Sequence, residues 1–487
     1  MDEQHVPVLV VGAGPVGLST ALFLRHAGVP ALVVDKRDPT GAPPRAGTSL
    51  RTCEIFRSIG LGPAVRRAGW LAAEPMCSIF KDSAFGATRH MTRMPSPYAE
   101  RVRAMSPVDA TLALTQVEVQ LVALGELADR VRFGVELTGL TQESDRVRAE
   151  LRDTATGRRA EVTADYLIGA DGARSPVRGL AGIGVPDREV VTWLNTAYFD
   201  ADLGPVVRDW GTNACFVRND SVFATLFSKN GRQKWSSHIM DYPGRPERLT
   251  ELSERSALEL LRAAIGDDQV PITLHAVNAW EAATGMAERF RADRVFLVGD
   301  AAHTQSSAGG LGMNTGIQDG HNLAWKLAEV LAGRADPALL DTYQDERMAA
   351  ARVSLALSAG LHRGYRDLSG DPADLYRKIA VDYLHAMIGY GYRSAAVLGE
   401  VPEPDVLTDR VRVGYRLPHR WLRPGVSTHD LLDRGWTVLV DGFEDLRPGE
   451  AVLVRPDGFV AWRGPGPEAA EQVKRRILRP ADHGLSR

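Results

Sequence analysis

The chain opens on a valine-rich apolar run, Val6 to Val11, that passes directly into Gly12-Ala13-Gly14-Pro15-Val16-Gly17 and then into a helical pattern ending near Gly28. An apolar run of that length reads as a buried strand, and the glycine cluster reads as a tight turn into a helix. Ala31 to Asp35 supplies another short apolar run that ends in an acid. Strand, helix and strand in that order make a β-α-β unit, from which parallel sheets are built. The same signature, an apolar run closing on glycine and acid, returns at Asp165 to Gly172 and at Arg294 to Asp300. The chain is therefore expected to enter one parallel sheet three times.

Other stretches have other textures. The pattern predicts a helix over Thr52 to Ile59, a helix near 116–128 and strands near 131–151. From 190 to 280 apolar and polar residues alternate, as in Trp193 to Phe199 and Ser221 to Phe227. Period two predicts antiparallel strands with one covered face. A glycine-rich stretch, Gly309-Gly310-Leu311-Gly312-Met313-Asn314, precedes a long helix expected from about Asn314 to Leu331. Beyond about 405, Trp436 to Val440 and Ala451 to Val454 read as strands, with Arg455-Pro456-Asp457-Gly458 as a turn before Phe459 to Trp462. The expected architecture is α/β. A Rossmann-like nucleotide-binding domain spans 1–180 and 281–400, an antiparallel-sheet domain is inserted at 181–280 with help from part of 75–110, and a small α/β module covers 401–487.

At 487 residues the chain exceeds one ordinary core, which fits several domains and a large cofactor. A net charge of -3, from 58 basic and 61 acidic residues without a long basic run, argues against a nucleic-acid partner. No apolar stretch reaches roughly 18 residues, and the start Met-Asp-Glu-Gln-His lacks a basic leader, so the expectation is a cytoplasmic protein without a membrane partner. Cys53, Cys77 and Cys215 have no C-x-x-C or zinc-like spacing and are expected as buried thiols, with no metal site.

The glycines carry the first chemical signal. Gly12 suits a tight turn, Gly14 the close approach of a pyrophosphate, and Gly17 the packing of helix on sheet. Asp35 stands where an acid accepts hydrogen bonds from ribose hydroxyls. The second cluster, Gly299-Asp300-Ala301-Ala302-His303 through Asn314, puts glycines ahead of a helix whose N-terminus carries partial positive charge. That charge suits the anionic N1/C2=O edge of a reduced flavin, a need that NAD does not have.

Gly12-x-Gly-x-x-Gly17, Asp171-Gly172 and Gly299-Asp300 together resemble the three fingerprints of the class A FAD-dependent aromatic monooxygenases, the p-hydroxybenzoate hydroxylase-like family. Pro44-Arg45-Ala46, Asn322-Leu323-Ala324-Trp325-Lys326-Leu327 and Leu453-Val454-Arg455-Pro456-Asp457-Gly458 make the bacterial aromatic-polyketide hydroxylases the most similar subgroup. The resemblance covers nearly the whole chain. It implies a glutathione-reductase-type FAD-binding domain, an antiparallel substrate domain and a thioredoxin-like tail. That tail is shortened between Phe443 and Ala451, and it holds no cysteine, so it carries no redox chemistry.

By the same resemblance Gly12, Gly14, Pro15, Val16 and Gly17 contact the FAD pyrophosphate, and Asp35 with Lys36 the adenosine end. Arg45 lies near the moving flavin, and Gln116 near the ribityl chain. Asp171 and Gly172 serve both FAD and NAD(P)H, and Asp300 holds ribityl hydroxyls. Gly310, Leu311, Gly312, Met313 and Asn314 run along the isoalloxazine. The implied reaction is hydroxylation of a phenolic polycyclic substrate with NADPH or NADH and O2, through a flavin C4a-hydroperoxide, by a monomer or homodimer. Rival readings are a Baeyer-Villiger oxygenase, a flavin dehydrogenase or reductase, and a non-catalytic FAD-binding protein.

Some residues have a plainer reading beside the chemical one. Ser306 and Ser307 replace two prolines of many relatives; they either bond flavin or substrate, or are tolerated variants. His303 is expected to be packed and hydrogen-bonded rather than a base. Trp193, Phe199, Phe216, Phe223, Phe227 and Trp280 either line an aromatic-substrate cavity or form ordinary core. Arg51 and Arg57 are expected as solvated charges.

Overall fold

The computed structural model describes residues 4–38, 47–71, 78–92, 96–109, 112–204, 206, 214–229, 232–241, 249, 251–366, 381–405, 408–432 and 434–479. Arg45 and Cys77, singled out above, lie outside them.

Gln4–Val11 is the centre of an eight-stranded sheet. It runs parallel to Ala31–Asp35 on one side, with Val8 opposite Ala31, and to Arg159–Gly169 on the other, with Leu9 opposite Leu167. Val295–Leu297 adds in parallel beyond Arg159–Gly169. The three apolar runs that end in glycine and acid thus lie side by side. Val8, Leu9 and Val10 are wholly buried, as expected of a strand covered on both faces. The Pro15–His26 helix and the long Leu311–Leu331 helix cross over this sheet. The long helix starts at Leu311, earlier than the expected Asn314. Gly309 and Gly310 adopt φ of +82° and +64°, and these turn the chain into the helix immediately after themselves.

A second eight-stranded sheet contains Glu189–Asp200, Ala214–Arg218, Phe223–Ser228, Lys234–Met240 and Thr273–Met286, extended by Ser78–Lys81 and Thr88–Thr92. Thr273–Met286 runs through residue 280, where the sequence reading drew a boundary, and its end pairs with His303–Thr304. The Glu254–Ile265 helix covers one face: Ala197, Phe199, Cys215, Val217, Leu226 and Ile239 pack with Leu261, Ala264 and Ile265.

Near the C-terminus, Thr437–Leu439, Glu450–Val454 and Val460–Pro465 form an antiparallel sheet packed by the Gly466–Leu478 helix. Buried charge ties it to the rest. Arg455 donates to both oxygens of Glu346 at 2.6 and 2.8 Å, Lys326 Nζ donates to Glu346 at 2.8 Å, and Asn322 Nδ2 donates to Glu346 and Asp457. The 322–327 and 453–458 segments, remote in sequence, thus meet around one carboxylate. Burial alone would raise the Glu346 carboxyl, but Arg455 and Lys326 hold it far below the usual range. Burial brings the Lys326 ammonium down to about 8.

Arg51 corrects the surface expectation. It is 5% exposed, donates to Glu54 at 3.1 Å and to the Asp457 carbonyl at 2.9 Å, and lies over the Phe459 ring. Arg57 instead bonds Asp430 across the same junction. Both arginines join the first half of the chain to its end, a contact that no local pattern announces.

Candidate functional site

The turn after the first strand is fixed by backbone crowding. Gly12 has φ +112°, and a Cβ there would stand 2.3 Å from the Ala170 carbonyl oxygen. A Cβ at Gly17 would stand 1.9 Å from the Gly12 carbonyl oxygen. Packing within the protein therefore accounts for these two glycines. Gly14 is different, because a Cβ there would meet no protein atom within 4 Å. Gly14 precedes a helix N-terminus with no side-chain cap and no acid in its first turn, so its backbone N–H groups are free for a phosphate. Asp35 braces the turn: it accepts the Ala13 amide at 2.8 Å and the Arg37 amide at 2.9 Å. Lys36 is exposed and faces Glu136 at 3.8 Å. Pro15 and Val16 open the helix, and Gln116, half-buried, begins the Gln116–Leu127 helix. Gln120, one turn on and absent from the sequence reading, donates to the Ala13 carbonyl at 3.2 Å.

Asp171 and Gly172 follow the adjacent strand. Asp171 caps the short Pro176–Leu180 helix by accepting from the Val177 amide at 2.9 Å and from the Ser175 hydroxyl, while burial pushes its carboxyl up. Arg178 then connects two fingerprints, since Nη1 donates to the Ala301 carbonyl at 2.9 Å and Nη2 to the Ala173 carbonyl at 2.9 Å.

Gly299 and Asp300 end the third parallel strand. A Cβ at Gly316 on the long helix would fall 2.7 Å from both the Gly299 Cα and a Val16 methyl, so the first helix, the long helix and this loop touch at one point. Asp300 is accessible to solvent and stands beside Gly312, and the protein packed around it raises its carboxyl. The long helix begins behind Gly310 with no side-chain cap and no acid in its first turn. Its leading N–H groups, at Leu311, Gly312 and Met313, are positioned for an anionic edge.

The side chains of this segment have separate duties. Leu311 is buried among Val102, Leu384, Met387 and Ile388. Asn314 accepts from the Ser49 amide and the Thr52 hydroxyl, both at 2.7 Å, and donates to the Gly47 and Gly310 carbonyls. His303 is wholly buried against Asp319 at 2.7 Å, in line with the packed reading. Asp319 also accepts from Arg347 at 2.8 Å and from the Gly299 amide at 3.0 Å, so a buried ion pair fixes the fingerprint loop from below. Ser306 is buried, faces His362 at 3.4 Å and accepts the Ala308 amide, which is a structural duty within the loop.

The aromatic residues divide by face. Phe199 belongs to the face packed on the Glu254–Ile265 helix, and Trp193 shares its alternation. On the opposite face Phe80 stacks on Phe216 at 4.9 Å. His238 there meets Phe227 edge-on at 5.1 Å and Trp280 at 6.0 Å. Trp280 Nε1 donates to Thr196 Oγ1 at 2.8 Å, and Phe223 packs beside Trp280. Alternation groups rings within one strand; which rings of different strands share a face follows from the cross-strand register, which no local pattern carries.

An open phosphate approach at Gly14, an acid set beside a parallel sheet, and a second uncapped helix N-terminus next to the Asp300 carboxyl fit the pyrophosphate, ribityl chain and isoalloxazine of FAD. The fold and site define a dinucleotide-dependent flavoprotein. Residues 5–358 match the family described as FAD binding domain, and residues 443–481 match the aromatic-ring hydroxylase C-terminal family. The aklavinone 12-hydroxylase of Streptomyces purpurascens is 32% identical, over 98% of this chain and all of that protein. The tetracenomycin A2 monooxygenase-dioxygenase of Streptomyces glaucescens is 33% identical, over 95% of this chain and 94% of its own length. Among solved structures, a ternary complex of aklavinone-11 hydroxylase with FAD and aklavinone superposes with a TM-score of 0.86 at 31% identity, covering 98% of this chain and all of that one. The chain belongs to the class A FAD-dependent aromatic hydroxylases, in the aromatic-polyketide subgroup. Among the described residues no group of three or more His, Cys, Asp or Glu side chains forms a metal site, and no helix is long and apolar enough to cross a membrane.

Proposed function

We propose that the chain is a monooxygenase that inserts one atom of O2 into a phenolic polycyclic substrate, with FAD as cofactor and NADPH or NADH as transient reductant. One observation carries this reading. The sheet bearing Phe80, Phe216, Phe227, His238 and Trp280 is hydrogen-bonded, through Gly285 and Met286 with Thr304 and His303, to the loop that holds Asp300 and leads to the long helix. An aromatic surface is thereby fixed to the flavin cradle.

Bound FAD supplies hydride acceptance and oxygen activation. Gly12, Gly14, Pro15, Val16 and Gly17 cradle its pyrophosphate, with Asp35 and Lys36 at the adenosine end. Gln116, Asp171, Gly172 and Gly299 complete the surround, Asp300 accepts from ribityl hydroxyls, and the backbone from Gly310 to Asn314 lines the ring. The leading amides of the Leu311–Leu331 helix stabilise negative charge on the reduced ring edge. The aromatic face excludes water and orients the substrate ring. In domain terms, 1–180 with 281–400 holds the cofactor, 181–280 with part of 75–110 holds the substrate, and 401–487 is a shortened thioredoxin-like module. We read the protein as a cytoplasmic monomer or homodimer.

The test is turnover of the flavin-loaded enzyme with a panel of hydroxylated anthraquinones and naphthacenes under 18O2. One labelled oxygen in a hydroxyl on the ring, located by NMR, is the expected result. A labelled ring-expanded lactone would instead establish Baeyer-Villiger insertion. Consumption of NAD(P)H with hydrogen peroxide as the sole oxygen product across the panel would leave a dehydrogenase or oxidase.

A further inference from the structure

The aromatic face ends at a cation that the site described so far does not use. Phe227 lies on the Phe223–Ser228 strand, and the Lys229 amide donates to the Lys234 carbonyl at 2.8 Å, so the ladder continues for one residue beyond that strand. Two-residue alternation then puts Lys229 on the same face as Phe227. Its Nζ stands 5.8 Å from the centre of the Phe227 ring. From there Phe227, His238 and Trp280 form a row of rings across the sheet.

We propose that Lys229 is the specificity-determining residue of this site: it receives an ionised oxygen of a flat aromatic substrate, a ring phenolate or carboxylate, whose rings lie along Phe227, His238 and Trp280. This rests on the oxygenase reading above and narrows its substrate class to acidic aromatics.

Lys229 is half-buried, and among the described residues no carboxylate pairs with it at contact distance. The anion whose field reaches it is Glu118, on the helix that begins at Gln116, and Glu118 Oε2 already accepts the Thr115 amide at 2.6 Å. Burial brings the ammonium down to about 8, with Glu118 opposing the shift. A half-buried ammonium without a close partner is a costly arrangement, and an incoming anionic oxygen relieves it. The same ammonium, placed against rings, favours the ionised over the neutral phenol, the form that an electrophilic oxygen attacks most readily.

Two probes test this on the FAD-loaded enzyme by equilibrium titration: 1,2-dihydroxyanthraquinone, which changes colour on ionising, and its 2-methyl ether. The wild type should bind the hydroxyl probe more tightly and shift its spectrum to the ionised form. Lys229→Met should weaken that binding by about ten- to hundredfold, erase the colour shift and leave the methyl ether unchanged, while Lys229→Arg restores preference for the hydroxyl probe. FAD content per chain serves as the folding control. Equal binding of the two probes by the wild type, no binding of either, or an unaltered preference in Lys229→Met overturns the proposal. Failure of 18O incorporation would sink the oxygenase reading separately, because these titrations require no turnover.

Discussion

Asn314 and Ser49 meet across the molecule: the Ser49 amide donates to Asn314 Oδ1 at 2.7 Å, which anchors the segment after residue 46 to the first turn of the long helix. The same oxygen accepts the Thr52 hydroxyl, and Nδ2 donates to the Gly47 carbonyl. Asn314→Ala deprives these three groups, and the Gly310 carbonyl as well, of their side-chain partner. Each such loss costs about 1–3 kcal/mol, partly offset by relaxation, so a destabilisation of about 2–4 kcal/mol is expected in urea unfolding. A change below about 1 kcal/mol would show that the segment is held by other means.

Gly12 and Gly14 should separate in mutagenesis. Gly12→Ala forces a side chain into positive φ and against the Ala170 carbonyl, so both the melting temperature and FAD content should fall. Gly14→Val meets no protein atom at its Cβ, so the apo-protein should melt within a few degrees of wild type while FAD affinity drops about tenfold or more. Flavin absorbance per chain and calorimetry of the apo forms read the two effects apart. Equal FAD affinity in Gly14→Val and wild type would remove the pyrophosphate from this turn.

Acid should act through two buried carboxylates. Burial alone would raise both, but His303 and Arg347 at Asp319, and Arg455 and Lys326 at Glu346, hold them below the ordinary range. A carboxyl lowered in the fold contributes stability that is complete above its unfolded value of about 4 and is lost as pH falls toward the folded value. The melting temperature should therefore drop steeply below pH about 4. Glu346→Gln should cost about 3–5 kcal/mol at pH 7, because Arg455 and Lys326 stay buried without their anion, and its acid profile should be flatter. Parallel acid profiles for variant and wild type would exclude Glu346 as a source.

Burial pushes the Cys53 thiol up to about 11 and the Cys215 thiol up to about 12. Both should resist iodoacetamide at pH 8 in the native state and react after unfolding, as read by peptide mass spectrometry. Native labelling of either within minutes would contradict this packing.

The strand–turn–helix units that carry the proposed cofactor cradle were legible because their signals are local. Glycine spacing between a strand and a helix is written in six consecutive residues, and the other fingerprints are equally short. Arg178, Asp319 and Arg347 were not legible, since each acts through a partner in another element: Arg178 on Ala301, and Arg347 on Asp319 across two helices. Arg51 failed for the same reason, as its acceptor is the carbonyl of Asp457. For the aromatic residues, period two established that strands were present, but the pairing register between strands decided which rings share a face. Lys229 was not legible either, because the His238 and Trp280 rings that extend the row from Phe227 come from other strands.

The point where Val16, Gly299 and Gly316 touch has a consequence for biosynthesis. On the ribosome the Gly12–Gly17 turn emerges well before the Gly299 loop and the long helix that complete its surroundings. Until they emerge the turn lacks these neighbours, and Val295–Leu297 must also add in parallel beyond Arg159–Gly169 before it is enclosed. With the pyrophosphate held at this turn as proposed, flavin capture waits until residues 295–316 have folded onto it.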